Sequence, residues 1–153
     1  MFAIANTGVM TYRSGDGSQR RQLTWRDRNG RLLGTVGAPD DADIPSIMIA
    51  PDGRRIVTSR TAQGNQDVWM LDTVRGVASR FTFHPSNDNA PAWSADGQRV
   101  FFRSTRNGAY DLFEKPADGA GDERPLLVTA ETDRKSTRLN SSHVSESRMP
   151  SSA

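Results

Sequence analysis

The sequence predicts an all-β protein built from three similar antiparallel sheets, and three observations support this. Residues 48–53 (MIAPDG) match residues 92–97 (AWSADG) at a spacing of 44, and residues 3–8 (AIANTG) form a weaker copy 45 residues before residues 48–53. The apolar runs between the copies are short and rich in β-branched and aromatic residues, which is typical of strands. Asp-Gly and Asn-Gly pairs separate the runs. A period of about 40 to 50 residues with several short strands per repeat indicates blades of a partial β-propeller.

The first repeat, roughly residues 2–38, is expected to form four strands. The first strand precedes Gly8, and the second and third are expected at residues 9–12 (VMTY) and 22–25 (QLTW). The fourth is expected at residues 32–36, after an Asn-Gly turn. This repeat is the least regular of the three, so its assignment depends on the spacing.

The second and third repeats, roughly residues 43–83 and 87–130, follow the same order of strand, turn, strand, loop, strand, turn and strand. Because Gly, and Asp or Asn before it, tolerate positive φ, we expect the Asp-Gly pairs to form two-residue hairpin turns. With the first repeat, this gives three four-stranded antiparallel blades of 44–45 residues. The strands expected in these two repeats cover residues 47–49, 55–58, 68–71, 78–81, 99–102, 111–113 and 126–129.

Nine residues occupy recurring positions in the repeats, and we expect all of them to be structural. The tryptophans favour core packing between blades over a ligand platform. The aspartates before glycine favour turn formation, and the other two aspartates favour hydrogen bonds to backbone N–H groups of adjacent loops. The nine residues are Asp52, Gly53, Asp67, Trp69, Trp93, Asp96, Gly97, Asp111 and Phe113.

Composition excludes several classes of function. The chain has 153 residues, 20 Lys and Arg, 18 Asp and Glu, and no Cys, which rules out a disulfide framework, a thiol nucleophile and a cysteine metal site. No apolar run approaches the roughly 18 to 20 residues of a membrane-spanning helix. The length fits one domain.

The C-terminal tail, residues 133–153, has a different composition from residues 1–132 and is expected to be disordered and non-native. It contains seven Ser in 21 residues, and residues 133–143 and 147–153 resemble the conceptual translation of a short-read sequencing adapter. Removing its four basic and two acidic residues leaves 16 of each sign, so residues 1–132 are formally neutral. The charge therefore gives no indication of nucleic-acid binding.

The body of the chain resembles the TolB-like, PD-type family of β-propeller repeats. The resemblance rests on residues 50–56 (APDGRRI) and 89–100 (NAPAWSADGQRV), each followed by an Asp-aliphatic-aromatic strand, and it spans about residues 2–129. More narrowly, residues 25–37 (WRDRNGRLLGTVG) and 80–83 (RFTF) resemble the propeller that follows the catalytic region in some bacterial serine/threonine kinases. The resemblance implies a non-catalytic binding or sensing module.

No catalytic, cofactor-binding or metal-binding residue is predicted, and we do not expect an enzyme. The chain has no kinase motifs and no Gly-x-Ser-x-Gly elbow, and His84, the one histidine before the tail, lies in a polar linker between repeats. Residues 40–43 (DDAD) and 87–89 (NDN) carry several oxygen ligands, but their spacing matches no twelve-residue calcium loop. Any catalytic domain would lie outside this chain.

The three predicted blades are too few to form a closed propeller, because closed propellers have typically about 4 to 8 blades. We expect a fragment truncated at both ends, whose outermost blades expose apolar faces and strand edges and permit self-association. Its loops are expected to bind a protein or small ligand.

Three hypotheses about the parent protein stay open: a signalling kinase, a prolyl-oligopeptidase-like serine peptidase gated by its propeller, and a periplasmic TolB-like scaffold. The resemblance favours an extracytoplasmic compartment, and a cytoplasmic one is also compatible with the sequence.

Overall fold

The computed structural model describes residues 2–4, 10–14 and 20–128, and it confirms the all-β prediction. Twelve strands form three sheets of four antiparallel strands, and within each sheet the strands follow chain order. The tail at residues 133–153, the turn at residues 6–8 and the end of the twelfth strand expected at residue 129 lie outside the described residues. The architecture is that of a partial propeller.

The strand bounds are as follows. The first sheet contains β1 (Phe2–Ile4), β2 (Met10–Ser14), β3 (Arg21–Arg26) and β4 (Leu32–Asp40). The second contains β5 (Ser46–Ile49), β6 (Arg55–Ala62), β7 (Asn65–Asp72) and β8 (Ala78–Arg80). The third contains β9 (Asp88–Trp93), β10 (Arg99–Ser104), β11 (Asp111–Pro116) and β12 (Arg124–Leu127).

The Asp-Gly turns differ from the two-residue type that the sequence suggested. Ala50 N donates to Arg55 O at 2.8 Å and Gly53 N donates to Ala50 O at 2.9 Å, so the loop holds four residues. Gly53 has a φ of +71°, whereas Asp52 is not among the residues with positive φ. The Asp52 carboxylate instead accepts a hydrogen bond from Arg54 N at 2.9 Å, which fixes the aspartate in an ordinary turn conformation.

A two-residue turn with both φ values positive joins β6 to β7. Its residues are Gln63, with a φ of 53°, and Gly64, with a φ of 82°. Ala62 pairs directly with Asn65 across it. This geometry matches the right-handed twist of the two strands, which are the longest pair of the second sheet.

The second sheet is buried on both faces. Ile56 packs with Leu23 and Val36 of the first sheet, whereas the next residue, Val57, packs with Val100 of the third sheet. Ile56 and Val57 are both completely buried. Because successive side chains of a strand point to opposite faces, this pair shows that β6 lies between two other sheets. Burial of each such side chain contributes about 1.5 to 3 kcal/mol.

The sheets succeed one another in chain order. Strand β9 packs against β5, β6 and β7, and β1 contacts β5. The first strands of the three sheets are therefore neighbours, as the innermost strands of propeller blades are.

The first and second sheets also approach closely at two glycines. A Cβ added to Gly76 would lie 3.3 Å from the backbone Cα of Gly37, whereas a Cβ added to Gly53 would meet nothing within 4 Å. Both Gly76 and Gly53 have a positive φ, of 67° and 71°.

These two glycines form a matched test of the sheet contact. We expect Gly53→Ala to lower the free energy of unfolding by about 1 kcal/mol, which is the cost of positive φ alone. Gly76→Ala should cost more, because the backbones of two sheets must separate in addition. Urea unfolding measures both values, and equal losses would show that the sheets are not in contact at Gly76.

Candidate functional site

A concave surface lies between the first and second sheets, and we call it the Trp69 crevice. Its volume is about 310 Å³. Leu23 and Val36 of the first sheet and Leu71 of the second form apolar walls, and Arg60 and Trp69 contribute polar atoms. A volume of this size is at the lower end of small-molecule sites.

The alternation of β7 places Trp69 in this crevice. Val68 and Met70 pack toward the third sheet, so Trp69 and Leu71 face the first sheet. Trp69 pairs with Thr58 of the neighbouring strand β6, which also lines the crevice.

Arg60 links the two sheets above Trp69. Its guanidinium carbon lies 4.6 Å from the centre of the Trp69 ring. Its Nη2 donates to Asp40 Oδ1 at 2.9 Å and lies 2.9 Å from Asp40 Oδ2. The carboxylate at the end of β4 thus holds the guanidinium over the indole, at a distance that suits cation–π attraction.

Two donors in this crevice have no hydrogen-bond partner among the described residues. They are Arg60 Nε and Trp69 Nε1, and both atoms are buried. A buried N–H group without an acceptor costs about 1 to 3 kcal/mol. The crevice therefore combines apolar walls with two buried N–H groups that lack an acceptor among the described residues.

A second, shallower crevice lies between the second and third sheets, with a volume of about 240 Å³. Phe83, which is 64% exposed, lies near two cations. Arg80 Cζ and Lys115 Nζ each lie 5.4 Å from the centre of its ring. Lys115 Nζ also donates to Phe81 O at 2.9 Å, which ties the third sheet to the chain leaving the second.

Asp67 and Asp111 are both buried, and each accepts a hydrogen bond from a side chain. Asp67 Oδ1 accepts from Arg80 Nη2 at 2.9 Å and from Asn65 Nδ2 at 3.3 Å. Asp111 Oδ2 accepts from Asn107 Nδ2 at 2.9 Å. Burial raises the pKa of Asp67 above its ordinary value of 3.8, against the opposing effect of Arg80.

The aspartates of the Asp-Gly turns accept hydrogen bonds from groups of their own turns. Asp96 Oδ1 accepts from Ser94 Oγ at 2.5 Å and from Gln98 N at 2.9 Å. The hydrogen bond from Ser94, followed by that from Gln98, lowers the pKa of Asp96 below 3.8. Gly97 has a φ of +68°, as Gly53 has in the equivalent turn.

Trp93 and Phe113 belong to the interface between the second and third sheets. Trp93 Nε1 donates to Met48 O at 3.1 Å across this interface. Phe113 stacks on Phe102 with a centroid distance of 6.0 Å. Arg106 lies 4.1 Å from the Phe113 ring centre, so it covers Phe113 in the way that Arg60 covers Trp69 one repeat earlier.

The polar residues that we weighed for chemistry have partners inside the protein. His84 Nδ1 accepts from Ser86 N at 3.1 Å. Among residues 40–43, Asp40, Asp41 and Asp43 pair with Arg60, Arg20 and Arg21 respectively. The described residues include no group of three His, Cys, Asp or Glu side chains that could hold a metal ion. In that same part of the chain, no helix is long and apolar enough to cross a membrane.

The sequence profile of the TolB β-propeller domain (PD40) matches residues 13–144, which is most of the chain. The chain belongs to the TolB β-propeller family. The TolB-like, PD-type assignment made from residues 50–56 and 89–100 is therefore confirmed.

Solved structures agree with this TolB-type fold. A protein assigned as TolB from Agrobacterium tumefaciens superposes with a TM-score of 0.68 at 20% identity, over 84% of this chain and 46% of that one. Dipeptidyl peptidase 4 from Porphyromonas gingivalis gives 0.65 at 11% identity, over 90% of this chain and 19% of that one. At these identities the likeness shows the fold alone.

A curated relative is an uncharacterised protein of Agrobacterium fabrum, 28% identical over 75 residues. That match covers 49% of this chain and 26% of the relative. The TolB-type chain thus spans about a quarter of this relative and less than half of either solved structure.

Sequence reasoning did not identify the Trp69 crevice. The charge of Arg60, which lines it, is paired with Asp40 of the preceding sheet. The sequence feature that could have indicated the crevice is Trp69, two positions after Asp67. In this TolB-type repeat its side chain faces the preceding sheet.

Asp67 and Asp96 should contribute to stability with opposite dependence on pH. Since the folded-state pKa of Asp67 is raised, its contribution to stability is fully present below pH 3.8 and is lost as the pH rises through that pKa. Since the folded-state pKa of Asp96 is lowered, its contribution is present above pH 3.8 and is lost as the pH falls.

We therefore expect the stability advantage of the wild type over Asp67→Asn to shrink between about pH 3 and 6, and its advantage over Asp96→Asn to grow. Urea unfolding across this range measures both. Parallel pH profiles for the two variants would contradict the assigned environments.

Proposed function

We propose that this chain is a non-catalytic binding module, and that the Trp69 crevice is its binding site. The observation that carries this proposal is the pair of buried, unpartnered N–H groups of Arg60 and Trp69 at an otherwise apolar crevice. A ligand that brings an oxygen acceptor with an apolar group would gain hydrogen bonds and bury apolar surface together.

The electrostatics of the crevice narrow the ligand class. The charge of Arg60 is offset by Asp40, and that of Arg21 is offset by Asp43. A net charge on the ligand is therefore not required. Apolar amino acid derivatives and peptide segments with a free backbone carbonyl fit this description.

We further propose that the module serves a bacterial signalling kinase, in which the catalytic domain lies elsewhere in the parent protein. The support is the resemblance of residues 25–37 and 80–83 to kinase-associated propellers. The alternative is a propeller that gates a serine peptidase, which the likeness to dipeptidyl peptidase 4 favours. A periplasmic TolB-like scaffold is the third candidate, favoured by the likeness to TolB. Sequencing the source locus on both sides of this coding region distinguishes them by the neighbouring domain.

The same sequencing tests the origin of the tail. We propose that residues 133–153 are adapter read-through, on the codon-by-codon resemblance of residues 133–143 and 147–153, even though the family match extends to residue 144. Genomic codons that encode this tail would refute it.

The crevice proposal predicts weak binding of a small probe, N-acetyl-L-phenylalaninamide. At about 0.3 kcal/mol per non-hydrogen atom, the expected Kd is about 1 mM. Ala38 is exposed at the crevice, and Ala38→Phe should fill it and weaken binding at least about tenfold.

Ala120→Phe is the matched control, because Ala120 is exposed in a loop of the third sheet. Saturation-transfer NMR gives the affinities. Binding that Ala38→Phe leaves unchanged would place the site elsewhere, and failure of the probe to bind the wild type would remove the proposed ligand class.

A further inference from the structure

The second crevice, between the second and third sheets, contains a buried lysine, and we call it the Lys115 crevice. Lys115 is only 7% exposed and lines this crevice near the end of β11. Its ammonium has three N–H donors, and one of them donates to Phe81 O at 2.9 Å. No carboxylate among the described residues forms an ion pair with it. Since lysines are rarely buried unless they are paired, this charge needs an explanation.

The preceding repeat provides the position with which Lys115 can be compared. Leu71 stands 44 positions before Lys115. Leu71 pairs with Ile56 across strands β6 and β7. Lys115 pairs with Val100, which is 44 positions after Ile56. The two side chains therefore occupy the same register position in successive sheets.

Leu71 and Lys115 also have equivalent neighbours in the preceding sheet. A Cβ built on Gly37 would lie 3.5 Å from Leu71 Cδ1. Phe81, whose carbonyl accepts from Lys115, stands 44 positions after Gly37. The first interface is thus closed by an apolar side chain at the place where the second interface carries an ammonium group. Because burying a charge is far more costly than burying a leucine, packing does not explain the lysine.

Aromatic rings and a second cation surround the ammonium. Lys115 Nζ lies 5.1 Å from the centre of the Phe81 ring and 5.4 Å from that of the Phe83 ring. Arg80 also lies over Phe83, but its Nη2 donates to Asp67 Oδ1 at 2.9 Å, which offsets its charge. Of the two cations, Lys115 is the one without a carboxylate partner among the described residues.

The rim of the crevice carries one carboxylate, that of Asp118. Asp118 is exposed, and its Oδ1 accepts from Ala120 N at 2.9 Å within its own turn. Its charge is partly screened by water, but it repels a ligand with two negative charges more strongly than a ligand with one. The crevice therefore favours a monoanion.

We propose that the Lys115 crevice binds a small aromatic carboxylate. The ligand carboxylate accepts from N–H donors of Lys115 that Phe81 O does not use, and its ring packs on the exposed ring of Phe83. The volume of about 240 Å³ is below the range of drug-sized ligands, which limits the ligand to about one ring.

This site is separate from the Trp69 crevice. Met70 lines the Lys115 crevice, whereas its neighbour Trp69 lines the other. Because successive side chains of a strand point to opposite faces, the two crevices lie on opposite faces of the second sheet. Binding at one of them can therefore fail without consequence for the proposal on the other.

The test uses benzoate as the probe and benzamide as a neutral molecule of nearly the same shape. Titration of the full, ¹⁵N-labelled chain at constant ionic strength gives both affinities by NMR. Benzoate should shift the amide signals of Phe81, Phe83 and Lys115. Benzamide should bind at least about 10-fold more weakly, because it lacks the charge that the ammonium attracts. Equal affinities for the two probes would overturn the proposal.

Lys115→Leu is the main variant, because leucine already occupies the equivalent position one repeat earlier. We expect it to weaken benzoate binding about 10- to 100-fold, because charge-assisted hydrogen bonds are lost. The midpoint of urea unfolding should stay the same or rise, because an apolar side chain replaces a buried charge. Arg28→Leu is the matched control: it removes an exposed arginine from the turn between β3 and β4 and should leave benzoate binding unchanged.

Two further variants change the walls of the crevice without disturbing the core. Phe83→Ala removes an exposed ring and should weaken benzoate binding about 2- to 10-fold. Asp118→Asn removes the negative charge at the rim and should strengthen it about 2-fold.

Three outcomes would overturn the proposal besides equal affinity for the two probes. The first is that benzoate does not bind the wild type, or that the shifted amides lie only around the Trp69 crevice. The second is that Lys115→Leu binds benzoate as tightly as the wild type does. The third is that Lys115→Leu fails to fold, because the ammonium would then serve the contact between the sheets.

Discussion

The structure depends on the double-sided burial of its second sheet. Ile56 and Val57 are consecutive residues of one strand, they point in opposite directions, and neither is exposed to solvent. A sheet with two apolar faces cannot fold with either face in water, so it requires a neighbour on each side. The first sheet covers Ile56 and the third covers Val57.

Polar contacts between sheets add specificity to this apolar packing. Apolar side chains tolerate sliding, whereas the two hydrogen bonds from Arg55 to Gly97 O and Ala117 O have one correct position. At the first interface the ion pair of Arg60 with Asp40 serves a similar purpose and leaves the Trp69 crevice beside it. The same packing therefore produces both the stable core and the concave surface to which we assign binding.

The sequence predicts the repeat well because the repeat is encoded locally. Turn residues and alternating apolar residues recur every 44 residues, and the positions of β5 to β8, β10 and β11 follow from them. It does not predict the type of the Asp-Gly turn, because the hydrogen bond from Arg54 N to the Asp52 carboxylate competes with the positive φ that a two-residue turn needs. Nor does it predict the crevice, because Asp40 and Arg60 lie 20 residues apart in different sheets and meet only when the sheets pack.

Backbone amide exchange tests the central role of the second sheet most directly. If both of its faces are buried by neighbouring sheets, the amides of β6 and β7 near Val57 and Val68 open only when the whole structure unfolds, and they should exchange slowest in the chain. Hydrogen–deuterium exchange of the full chain, resolved by NMR, measures this. The account predicts the greatest protection at these two strands and less in β3 and β11. Greater protection in β3 or β11 than in β6 and β7 would contradict it.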